Sequence, residues 1–169
     1  KFESDFSKYS NAKYAIAVSN CTAALHLSLM ALGIKKNDEV IIPDLTFVAD
    51  ANAILACNAK PIIVDINKEN FFLSISNIKK NITKKTKAII PVHIYGQVCN
   101  IEEIMDVAKD HNLKVIEDCA HAVGTFHKSK HVGTLGSTGC FSFYPTKNIT
   151  TAEGGMVITN SKQIAEKVR

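Results

Sequence analysis

Hydrophobic and polar positions follow two rhythms along this chain. Short runs such as Val40-Ile41-Ile42, Ile62-Ile63-Val64 and Ile89-Ile90 are apolar throughout. Strands read this way when helices cover both faces of their sheet. Between them, apolar residues recur at intervals of three and four, the mark of a helix with one buried face. The pattern predicts helices over residues 1–10, 22–32, 47–57, 75–81, 101–111 and 161–169. It predicts strands over 14–18, 39–43, 61–65, 87–92, 113–117, 139–143 and 156–159. Gly33 is placed to end the second helix. Strands alternating with helices of this length imply right-handed crossovers and an α/β fold, three layers with a mostly parallel central sheet. Ligands in such folds gather at the carboxyl ends of the strands.

Composition bounds this picture. The chain has 169 residues and is 46% hydrophobic, enough for one domain with a real core or for part of a larger one. Helical patterns run up to both termini, so we expect residues 1–169 to be one large domain, incomplete at both ends. The net charge of +4 is dispersed, which argues against a nucleic-acid partner. No apolar run reaches the roughly 18 residues of a membrane span, and no leader pattern opens the chain, so no membrane partner is expected. Five cysteines, an odd number with no C-x-x-C, point to a reducing, cytoplasmic setting rather than a disulfide framework. The one arginine is Arg169, so any anion must be held largely by other means.

Four strand ends carry polar residues with chemical potential. At Ser19-Asn20-Cys21-Thr22 a helix begins with a hydroxyl and small residues, a ready seat for an anion. The plainer reading is a helix cap by Ser19 or Asn20. Phe47 follows another strand and either stacks on a planar ligand or joins the core. Asp118 ends an apolar strand, where a carboxylate is costly without a partner. An Asx-turn would supply one, and His121 follows three residues later. In Phe141-Ser142-Phe143-Tyr144-Pro145-Thr146-Lys147, a lysine sits between a proline turn and Gly154-Gly155. Shielded from water, such a lysine can form a Schiff base. Phosphate seat, stacking ring, strand-end aspartate and lysine together suit pyridoxal phosphate. An aspartate at ~4 Å from a pyridinium, with an effective dielectric of ~20, is attracted by about 4 kcal/mol, enough to hold the ring proton.

The order and spelling of these stretches, with Thr46-Phe47-Val48-Ala49, Pro91-Val92-His93-Ile94-Tyr95-Gly96, Glu117-Asp118-Cys119-Ala120-His121-Ala122 and Glu153-Gly154-Gly155-Met156, resemble the DegT/DnrJ/EryC1/StrS family of sugar aminotransferases. The likeness runs over almost the whole chain. It implies a fold type I transferase large domain that binds pyridoxal 5'-phosphate, with a smaller C-terminal domain absent here. It implies Lys147 as the lysine joined to the cofactor, Asp118 at the pyridine nitrogen and His121 near the phenolic oxygen. Phe47 would stack on the ring, while Cys21, Thr22 and Ser142 hold the phosphate. It implies a homodimer with shared sites, glutamate as amino donor and a nucleotide-diphosphate-linked keto sugar as acceptor. Two positions depart from the usual pattern: Cys21 stands where glycine is commonest and Tyr144 where histidine is frequent. Lys147 is intact, which favours transamination over the dehydratase branch.

Other readings compete with this one. Cys119, His121, His127 and His131 share a region but match no common zinc spacing. Gly133, Gly136 and Gly139 have the wrong spacing for a dinucleotide fingerprint and precede a strand. A homologue that binds the cofactor for regulation, without turnover, is the main rival. His93 and Tyr95, at a further strand end, are candidates to line the pocket.

Overall fold

The computed structural model describes all 169 residues. The helices are α1 (Phe2–Ser10), α2 (Cys21–Ala31), α3 (Ala49–Ala56), α4 (Ile75–Asn81), α5 (Ile101–Asp110) and α6 (Lys162–Val168). The strands are β1 (Tyr14–Val18), β2 (Glu39–Pro43), β3 (Lys60–Val64), β4 (Thr86–Ile89), β5 (Lys114–Asp118), β6 (Phe126–His127), β7 (Lys130–His131), β8 (Thr138–Ser142) and β9 (Gly155–Thr159). Seven of them form one sheet in the order β1-β9-β8-β5-β4-β2-β3, while β6 and β7 make a separate small hairpin. From β3 to β8 every neighbour is parallel. Strand β9 runs against both β8 and β1.

Successive residues of each strand feed opposite layers, as a side-chain period of two requires. Ile16, Val40, Ile42, Ile116, Cys140 and Val157 pack with α2, α3 and α6 on one face. On the other, Ile41, Ile89 and Val115 pack with α4 and α5, while Ala15, Phe141, Met156 and Ile158 pack under α1. This is the three-layer arrangement expected from the all-apolar runs.

Boundaries differ from expectation by one to three residues, and two of the differences are informative. The helix expected from residue 47 starts at Ala49, leaving Phe47 outside it and exposed. The strand expected to reach residue 92 stops at Ile89. Pro91 lacks the N–H a ladder needs, and Val92 rejoins only by an isolated bridge to Asp118. The β6–β7 hairpin, too short to show a period, has no counterpart among the expected elements.

Candidate active site

The turn from β1 into α2 is held from both sides. Asn20 Oδ1 accepts the Ala23 N–H at 2.8 Å, the cap anticipated from sequence. The N–H groups of Cys21 and Thr22 have no intrahelical partner, as in any first turn. On β9, Gly155 lies against this turn so closely that a Cβ would come within 2.5 Å of the Asn20 carbonyl oxygen and 2.8 Å of the Cys21 nitrogen. Only glycine lets the strand back the helix start at that distance.

Two consecutive acids end β5. Glu117 is buried and accepts four hydrogen bonds: Leu135 N–H (2.8 Å), Gly136 N–H (2.6 Å), Gly133 N–H (2.8 Å) and His93 Nε2 (2.9 Å). His93 Nδ1 accepts the Cys99 N–H at 3.3 Å, so Nε2 carries the hydrogen given to Glu117. His93, Glu117 and Cys119 are near enough together to be metal ligands, yet each Glu117 oxygen already serves two donors. The glycine series expected to be no dinucleotide fingerprint belongs to this girdle: Gly133 has φ +86° and packs on Phe141 and Gly139.

Asp118 points the other way. It is 5% exposed, and one oxygen accepts the Ala120 N–H at 2.8 Å, which is the Asx-turn. The second oxygen has no donor within the protein. Burial raises its pKa above the usual aspartate value, against the pull of the Ala120 N–H and the Lys147 charge.

His121 stacks on Tyr95 with ring centroids 5.8 Å apart and planes 9° from parallel. Its Nδ1 accepts the Tyr95 N–H at 3.3 Å, leaving Nε2 as a donor. Burial, then the charge of Lys147, lower its pKa, so the ring is neutral near pH 7. Lys147 rides on a loop closed by Phe143, whose N–H donates to Gly154 and whose carbonyl receives the Thr151 N–H and the Thr150 hydroxyl. The lysine is half-buried rather than shut away from water as expected, because the loop around it is largely exposed in the single chain.

A cleft of about 540 Å³ opens at these strand ends. Cys21, Thr22, Phe47, Asp118, His121, Ser142 and Lys147 all line it. Phe47 is 74% exposed at its rim, so it is no core residue. Tyr144 also lines the cleft; His93 and Tyr95 do not, the first being buried with Glu117 and the second standing outside, 77% exposed. The residues considered for zinc are scattered: His131 is packed among Phe6, Tyr9, Phe126 and Phe141, while His127 meets Glu102 at 3.2 Å. Sequence reasoning missed Asn20 as cleft lining, Thr46, and Glu153 after the lysine loop. Adjacency to expected positions was their one signal.

A mostly parallel sheet with one reversed strand, opening at its strand ends on a helix start, a buried aspartate and a loop lysine, defines the large domain of a fold type I transferase. The profile of the DegT/DnrJ/EryC1/StrS aminotransferase family matches residues 1–169, and the chain belongs to that family. GDP-perosamine synthase of Escherichia coli O157:H7 is 52% identical over 167 residues, which is 99% of this chain and 46% of that protein. The crystal structure of an aminotransferase from Psychrobacter cryohalolentis superposes with a TM-score of 0.96 at 41% identity, covering 99% of this chain and 42% of that one. NtdA of Bacillus subtilis, solved with bound cofactor PMP, gives 0.92 at 37% identity, covering 99% and 38%. The chain thus spans under half the length of the curated relatives it matches.

Proposed function

We propose that this chain is the cofactor-binding part of a pyridoxal-phosphate-dependent aminotransferase that passes an amino group from glutamate to a nucleotide-diphosphate-linked keto sugar. The observation that carries the proposal is the convergence of three things in one cleft: the α2 start, the free oxygen of Asp118 and Lys147. The cleft fits the cofactor on its own geometry. A Cβ at Gly155 would crowd the backbone at the α2 start, and an acceptor with no protein donor stands at Asp118. The names of the relatives, GDP-perosamine synthase among them, support the sugar-directed reading.

Bound here, the cofactor would supply an aldehyde that condenses with amines and a ring that draws electrons from the carbon losing its proton. The chain's residues do the rest. The N–H groups of Cys21 and Thr22, with the Thr22 and Ser142 hydroxyls, seat the phosphate, helped by about half a unit charge from the helix dipole. Asp118 holds the proton on the ring nitrogen. His121 Nε2–H donates toward the phenolic oxygen, its direction fixed by Tyr95. Phe47 covers the ring face. Lys147 Nζ is the amine that would hold the cofactor covalently, and as a free amine it would move the proton at the reacting carbon. The exposed apolar side chains Phe47 and Tyr144 at the cleft, with Val48, Tyr95 and Ile149 close to lining residues in sequence, support a homodimer whose partner closes the cleft. The full-length protein belongs, on this reading, in the cytoplasm, with the small domain of the family following this large one.

The test is to reduce cofactor-saturated, full-length protein with borohydride and map its peptides, then supply glutamate and a panel of nucleotide keto sugars. The expected results are cofactor mass on Lys147, conversion to the amine form of the cofactor, and an amino-sugar product. An unmodified Lys147 overturns the site. Modification without conversion by glutamate favours the regulatory homologue, and loss of water from the sugar favours a dehydratase.

A further inference from the structure

Asp50, the second residue of α3, has no part in the chemistry above, yet it is an acid with 0% exposure. Its Oδ2 accepts the Thr46 hydroxyl at 2.5 Å. Its Oδ1 is enclosed and has no donor. An ionised carboxyl so placed would leave a charged oxygen unsatisfied, which burial strongly disfavours. Thr46, whose hydroxyl it accepts, and Ala49, the residue before it, both line the cleft, so Asp50 sits just behind the cleft wall. Two buried thiols share these surroundings: Cys21 lines the same cleft, and Cys140 on β8 is the register partner of Asp118 on β5.

Asp118 lines the cleft whose wall Asp50 backs, and two buried carboxyls within reach of each other's charge resist ionising together. Asp118 has the Ala120 N–H, the neighbouring His93 and Lys147, and an oxygen open to the cleft in its favour. Asp50 has one hydroxyl. The proton therefore stays on Asp50, whose pKa is pushed well above the usual aspartate value by burial and then by the Asp118 charge, against the Thr46 bond. The thiols facing the pair stay neutral too, since burial raises both.

We propose that Asp50 is a positioning residue for the ring nitrogen of bound pyridoxal phosphate: it keeps the proton of an Asp50–Asp118 pair, so that the pair offers that nitrogen a single negative charge. This rests on the reading that Asp118 faces the ring nitrogen. A pyridinium beside Asp118 offsets the charge Asp50 feels, so binding the cofactor makes Asp50 easier to ionise. By reciprocity, ionising Asp50 tightens cofactor binding. Affinity then rises with pH through the Asp50 midpoint, and a neutral residue at position 50 removes that rise.

The experiment is isotope-edited infrared spectroscopy on the full-length protein carrying carboxyl-labelled aspartate. It follows the protonated-carboxyl band against pH, unloaded and loaded with pyridoxal phosphate, in wild type, Asp50→Asn and Asp118→Asn. Asp50→Asn keeps the volume and an acceptor for Thr46; Asp50→Ser serves if it fails to fold. The wild type should show the band at neutral pH and Asp50→Asn should lack it. In Asp118→Asn, and in loaded wild type, the band should titrate lower by about one pH unit or more, the size of a near-neighbour charge effect. The dissociation constant of pyridoxal phosphate should fall ~10-fold as pH rises across the wild-type midpoint, the reciprocal of that change in proton affinity, and stay flat in Asp50→Asn. A wild type without the band, or a band that Asp118→Asn leaves in place, overturns the pair. A loaded protein whose band and affinity ignore each other overturns the role toward the ring. Absence of cofactor binding sinks the functional reading instead, and the unloaded spectra still decide the pair.

Discussion

Glu117 and Asp118 are consecutive and both buried, yet their surroundings set them to different tasks. Glu117 has spent its acceptor capacity on the loop at Gly133–Gly136 and on His93. In Glu117→Gln an amide NH₂ would face two donors, so we expect a loss of about 3 kcal/mol or more, read by urea unfolding. Asp118→Asn should instead leave stability at neutral pH unchanged or higher, because burial works against its charge, while pyridoxal phosphate affinity drops. Lys147→Ala should abolish covalent attachment and lower kcat by ~10²–10⁴-fold or more, measured on the full-length protein. Sequence alone brought Asp118 and Lys147 forward, since a carboxylate at the end of an apolar strand and a lysine between proline and glycine turns are out of keeping with their neighbours. It could not weigh Glu117, whose four donors come from a loop some way along the chain and a turn before it. Nor could it single out Asp50, which reads as one more polar residue in an ordinary helix until the fold sets it near Asp118.

The start of α2 depends on β9 as well as on its own Asn20 cap. Gly155→Ala would drive a methyl group into the backbone of Asn20 and Cys21. The helix start would have to shift, and phosphate recognition is sensitive to displacements of an ångström. We expect pyridoxal phosphate affinity to fall at least ~10-fold while the melting temperature moves by only a few degrees, a contrast between equilibrium binding and calorimetry that a general loss of packing would not produce. The strands were legible as unbroken apolar runs, and the longer helices because their period repeats. The β6–β7 hairpin has two residues a side, and no period shows in so few. Helix starts were legible to within two residues, since caps such as Asn20 are strong local signals, whereas Val48 caps α3 with no side-chain bond.

For the molecule as a whole, the two raised aspartates fix the sign of one pH dependence. Unfolded, each titrates near ~3.9; folded, each holds its proton to higher pH. The native state therefore binds more protons in that window, and its stability is greatest below the unfolded value. It declines as pH rises through the folded values, by about 1.4 kcal/mol per pH unit for each group in transition. Asp50→Asn removes one group, so its melting temperature should gain on the wild type steadily from pH ~4 toward neutrality. The sheet order carries a different consequence. Tyr14 at one end of β1 pairs with Thr159, and Val18 with Gly155. A ribosome has therefore delivered the chain past Gly155 before β1 can find this neighbour. Until then that strand waits with an open hydrogen-bonding edge, and closing so long a loop is a slow, late event of folding.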